Sequence, residues 1–144
     1  MKPRLVILVA CGLATLAAGK LRAANVESDL DKLQGEWVSV SYEEARSPKD
    51  SRTVKLTFKE NKVTMKMDGK TATDDCDLNV DEDPKWMDIV EREGPYVTSV
   101  NKGIYTLKGD RLTICHGGAI RPIKFEIRPG KFLVDSLIVL ERKR

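Results

Sequence analysis

The chain has 144 residues, with 25 lysines and arginines, 22 aspartates and glutamates and a single histidine, for a formal net charge of +3. Four of the basic residues, Lys2, Arg4, Lys20 and Arg22, fall in the first 23 positions with no acid among them, so residues 24–144 hold 21 basic against 22 acidic side chains, net −1. That balance leaves nothing to suggest the basic patch a nucleic-acid binder needs, and the length after residue 23 suffices for one hydrophobic core.

The first segment reads as a leader rather than as part of a fold. A basic start is followed by the apolar run LVILVACGLATLAAG, Leu5 to Gly19, too short to span a bilayer comfortably. Small residues Ala17 and Gly19 offer a cleavage site and Leu21 with Ala23 a weaker one, which makes residues 1–23 a secretory signal peptide and residues 24–144 the exported domain. A second reading takes LVAC, Leu8 to Cys11, as a lipobox with Cys11 lipidated; its apolar run before the cysteine is very short. An extracytoplasmic location, periplasmic or secreted, is expected, with no membrane attachment after cleavage.

SDLDKLQG, Ser28 to Gly35, predicts one short helical turn. Ser28 and Asp31 resemble a capping box, Leu30 and Leu33 share a face, and Gly35 stops the turn. Nearly everything after it alternates with period two, the mark of half-buried strands. TVKLTFK sends Val54, Leu56 and Phe58 to one side, and KVTMKMD does the same with Val63, Met65 and Met67. Asp68-Gly69 predicts a two-residue hairpin turn. Pairing across it sets Met65 opposite Ala72, and so aims Ala72, Asp74, Cys76, Leu78 and Val80 inward and Thr71, Thr73, Asp75, Asp77 and Asn79 outward.

Asp81 to Pro84 predicts a loop, KWMDIVER a strand, and EGPYVTSVN a turn-rich connection. KGIYTLKGDRLTICHGG predicts a second hairpin about Gly109-Asp110, with Tyr105, Leu107, Leu112 and Ile114 on one face and Ile104, Thr106, Thr113 and Cys115 on the other. PIKFEIR, alternating Ile123, Phe125 and Ile127, and SLIVLERKR are the last strands expected. About nine strand candidates on short turns, with no helix long enough for a crossover, predict an all-β antiparallel up-and-down barrel of eight to nine strands, since closure removes exposed edges.

DLDKLQGEW (Asp29 to Trp37), LTF (Leu56 to Phe58), GIYTLKGDRLTIC (Gly103 to Cys115), RPIKFEIRPG (Arg121 to Gly130) and LIVLERKR stand in that order. Together they resemble a domain family of unknown function abundant in planctomycete bacteria, which is lipocalin-like. The resemblance covers nearly all of residues 24–144, and the family brings no catalytic residues with it. Gly35-Glu36-Trp37 is similar to the lipocalin opening motif. The resemblance implies that Trp37 packs across one barrel end and that Arg142, from the last strand, lies over it.

The residues offer little for catalysis or metal binding. The one histidine, His116, follows Cys115, but neighbours on a strand face opposite ways and form no nucleophile–base pair. Asp75, Asp77, Asn79, Asp81 and Asp83 imitate the start of a calcium loop, yet its sixth position is Val80 instead of glycine and its twelfth Trp86 instead of glutamate. Strand period explains that spacing without a metal. Opposite directions also argue against a Cys76–Cys115 disulfide. The expectation is a non-enzymatic protein with no cofactor. Two forms remain open, because small barrels either fill with side chains or hold one small ligand. The first form binds a small apolar molecule with Met65, Met67, Tyr105, Leu107 and Ile114 as lining and Asp74 and His116 as polar handles, the methionines lending an adaptable surface. Large side chains at many inward positions favour the second form, a filled barrel that meets a protein or cell-envelope partner through loops such as Glu43 to Arg52.

Overall fold

The structure, a computed structural model, describes residues 27–50, 52–130 and 135–144, with the backbone alone for 47–50. The expected leader and Cys11 lie outside the described residues. A short helix, α1 (27–33), leads into ten strands: β1 (Gly35–Glu44), β2 (Ser47–Asp50), β3 (Lys55–Lys59), β4 (Lys62–Met67), β5 (Lys70–Asn79), β6 (Lys85–Glu93), β7 (Tyr96–Asn101), β8 (Gly103–Lys108), β9 (Arg111–His116) and β10 (Ser136–Arg142). All pairings are antiparallel, and β10 pairs with β1 to close the sheet. β7 and β8 run along β6 one after the other, Ile89 opposite Asn101 and Trp86 opposite Ile104 in the same register, with a break at Lys102 and a register shift between Glu91 and Arg92. Eight strand positions therefore form a closed barrel, with β2 as an extra strand on β1.

Both predicted turns form. Asp68 and Gly69 take φ of 52° and 73°, the left-handed pair that a two-residue hairpin requires, and Met65 stands opposite Ala72. Lys108 pairs with Arg111 around Gly109-Asp110. With these registers set, alternation sends Leu56, Phe58, Val63, Cys76, Tyr105, Leu112 and Ile114 into the barrel, where they join Leu33, Trp37, Met87, Ile138 and Leu140 in one core.

Four local expectations are corrected. Tyr96–Asn101 is strand β7 instead of a turn-rich connection, because its backbone continues the β8 ladder along β6 and so keeps its hydrogen bonds. The expected loop 43–52 contains the end of β1 and the whole of β2. Ser28 lies inside α1 and therefore does not cap it. Most consequential, PIKFEIR forms no strand: residues 121–130 have no ladder, Ile123 is 78% exposed, and neither Phe125 nor Ile127 belongs to the core.

That segment instead covers the outside of the barrel wall. Arg121 grips the Asp88 carboxylate with two bonds of 2.5 and 2.9 Å, donates to the Gly103 carbonyl and stacks 4.0 Å from the Trp86 ring. Arg128 grips Asp135 in the same forked way, at 2.6 and 2.7 Å. Between these anchors Pro122 is fully buried, and the outward residues Val90, Ile104 and Cys115 are buried as well. Gly117 makes the path possible, because a Cβ there would come within 2.2 Å of both Arg128 and the Ile120 carbonyl.

Candidate functional site

The two barrel ends differ. At the end carrying α1, Trp37 is completely buried and donates from Nε1 to the Leu33 carbonyl at 2.8 Å. Arg142, its direct partner across β1 and β10, lies 4.3 Å from the ring centroid. The same guanidinium donates to the Gln34 and Lys32 carbonyls and, at 3.0 Å, to Asp110, which caps the free carbonyls at the helix C-terminus. Gly35 has φ 106°, but a Cβ there would meet nothing nearer than an Arg142 nitrogen at 3.7 Å. Glycine is required at this position by backbone conformation instead of by crowding.

Asp29 adds a bond that the sequence did not suggest. Its buried carboxylate accepts from Tyr105 Oη at 2.5 Å and from Lys85 Nζ at 2.8 Å. Burial opposes its charge, but Lys85 and Tyr105 outweigh it together and hold the carboxyl below its ordinary range. Burial and Asp29 push the Tyr105 phenol far up. Asp29 reads as a surface residue because helix periodicity marks only apolar faces; its burial comes from a tyrosine 76 positions away.

The opposite end is hollow. A cavity of about 400 Å³ opens there, lined by apolar side chains including Leu56, Phe58, Met65, Met67, Met87, Ile89, Ile114 and Ile138. Its polar wall is Tyr42, Glu44, Asp74, Glu91, Ser99, Asn101, His116 and Ser136. Of the seven expected site residues, Met65, Met67, Asp74, Ile114 and His116 meet around this space. Tyr105 and Leu107 do not: Leu107 stands opposite the core residue Leu112, and Tyr105, although opposite Ile114, is turned to Asp29. Met65 stands at the margin, 37% exposed. The hollow's polar rim from β6 and β7 was missed, because Ser99 and Asn101 fall in the segment read as a turn.

His116 is the most constrained of the wall residues. It is buried, it stands opposite Gly103 on β8, and its ring occupies the room a side chain at 103 would need: a Cβ there would lie 2.2 Å from the imidazole. Its Nε2 is buried with no hydrogen-bond partner among the described residues. Burial dominates its titration and lowers the pKa to about 4, although the Met87 carbonyl and Asp88 favour the charged ring. The imidazole is therefore neutral at pH 7.

Glu44 is engaged by Arg52 at 2.9 Å and by the Tyr42 hydroxyl. Asp74 and Glu91 have no ion pair among the described residues. Asp75, on the outer face, gives its two oxygens to Lys62 and Arg92. Cys76 and Cys115, the two cysteines among the described residues, sit on opposite sides of the wall as free, buried thiols, raised by burial to about 12 at Cys76 and about 11 at Cys115. Comparison of the chain with family models, with curated proteins and with solved structures gives no match.

Proposed function

We propose that this chain is an exported, non-enzymatic barrel of the lipocalin-like kind that holds one small apolar molecule at its open end. The observation that carries the reading is the hollow of about 400 Å³ inside the barrel. Binding pockets for small molecules span about 300–1,000 Å³, with mostly apolar walls and a few convergent polar groups. A barrel acting only as a packed interaction module would leave no apolar void larger than a water. Half of this barrel follows that pattern, and the other half departs from it.

The test is native mass spectrometry of the protein purified from its natural source, joined to titration with an uncharged, environment-sensitive apolar dye. A retained small molecule, or dye binding at micromolar affinity or better, is the expected result. Ile89→Trp should fill the hollow and abolish dye binding while the barrel stays folded. Met65→Arg is a poorer choice, since a marginal residue can turn its charge to water. Dye binding that survives in a folded Ile89→Trp variant would place the dye on the outer surface and overturn the reading.

A further inference from the structure

Three features of the hollow bear on what it accepts. First, its charged residues are all acidic: Glu44, Asp74 and Glu91 line it, and no lysine or arginine does among the described residues. Second, Arg52 engages Glu44 alone of the three, and Asp74 and Glu91 have no ion pair among the described residues. Third, His116 lines the same wall, buried, and its Nε2 has no hydrogen-bond partner among the described residues. A neutral imidazole always keeps one ring nitrogen as an acceptor, so the wall retains hydrogen-bonding capacity that the protein itself does not use. Buried polar atoms left unsatisfied are uncommon and call for a partner.

We propose that the barrel selects apolar molecules with a protonated amine head and rejects those with a carboxylate. This rests on the cavity reading above and goes on to name the ligand class. An ammonium is a donor only, with three N–H groups to share. Carboxylate oxygens and an imidazole acceptor are what it requires, while the apolar walls take its hydrocarbon body. A carboxylate head would meet like charges at the half-buried Asp74 and at Glu91 on the exposed rim, and beside the half-buried one charge–charge energies exceed those in bulk solvent. An alcohol satisfies the acceptors without the charge attraction and belongs between the two.

The experiment compares decylamine, decanol and decanoate by calorimetric titration at pH 7 and low salt, each below its aggregation concentration, alongside the uncharged dye. Decylamine should bind at least about tenfold tighter than decanoate, consistent with one well-placed charge contact in a partly buried site, with decanol intermediate. Asp74→Asn should narrow the gap between amine and carboxylate. His116→Phe keeps a ring against Gly103 and should weaken decylamine and decanol by about two- to tenfold relative to the dye, the worth of one hydrogen bond. Decanoate binding as tightly as decylamine, or an unchanged gap in a folded Asp74→Asn variant, overturns the amine preference and leaves the cavity reading standing. Failure of the dye and all three probes overturns both.

Discussion

His116 combines a buried ring with a pKa lowered to about 4, and the sign of its effect on stability follows. In the unfolded chain the ring titrates near 6.5. Between pH 6.5 and 4 the unfolded state therefore binds more protons, and stability falls as pH falls through that window. The full loss corresponds to about 3 kcal/mol. Asp29 and Asp135, with pKa values held below 3.8, lose their contributions only at lower pH. Urea denaturation at several pH values should show a decline already complete near pH 4, and His116→Phe should flatten that part of the curve. An unchanged slope in the variant would mean that the ring titrates in water. Trp37 and Arg142 form the second residue-scale unit. Truncating a buried tryptophan costs about 3–5 kcal/mol. Arg142→Ala loses a cation–π contact and the bonds to two helix-end carbonyls, about 2–3 kcal/mol together, and should lower the melting temperature by roughly 10 °C. A double-mutant cycle with Trp37→Phe and Arg142→Ala should be non-additive, since each residue completes the other's packing; full additivity would deny the contact.

The covering segment 117–130 is held by two arginine–aspartate forks instead of by a strand ladder. Asp135 is fully buried as a carboxylate, and Arg128 supplies its guanidinium partners. Removing one partner of a buried pair leaves an uncompensated charge at a cost of about 3–5 kcal/mol. Arg128→Ala should therefore release the segment before the barrel unfolds, and Cys115, which lies beneath it and donates to the Glu126 carbonyl, should become the more reactive thiol. Labelling with a thiol reagent under native conditions, read out by peptide mass, should show Cys115 modified much faster in the variant and Cys76 protected in both forms. Equal protection of Cys115 would mean that the segment is held by something other than this fork. A neutral pair, Arg128→Met with Asp135→Leu, should restore protection, because burial of matched apolar groups avoids the charge penalty.

At the scale of the molecule, the barrel divides its interior. The end under α1 is packed by Leu33, Trp37, Tyr105, Leu112 and Leu140, while the opposite end keeps the cavity. Mutational cost should follow that division. Leu140→Ala should cost about 2–5 kcal/mol, because it opens a void among close-packed neighbours. Met67→Ala, on the wall of an existing hollow, should cost under about 1 kcal/mol, since it removes fewer contacts and deepens a space already present. Chemical denaturation of the two variants checks the ranking; equal costs would mean that the hollow collapses onto Met67 in solution.

Period-two alternation and two glycine turns were enough to determine the all-β class, the Met65–Ala72 register and the opposite directions of Cys76 and Cys115. These are local consequences: a strand exposes alternate faces, and a two-residue turn leaves one register. Alternation also suggested a strand at Ile123, Phe125 and Ile127, and there it failed. A strand needs a free ladder edge as well as a pattern, and β10 occupies the one beside β9. The Asp29–Tyr105 bond and the Arg121–Asp88 fork join residues far apart in the chain, so no local pattern carries them. Whether the barrel is filled or hollow was equally beyond the sequence. The same inward side chains serve either case, and the volume left over is set by how the closed sheet brings opposite walls together.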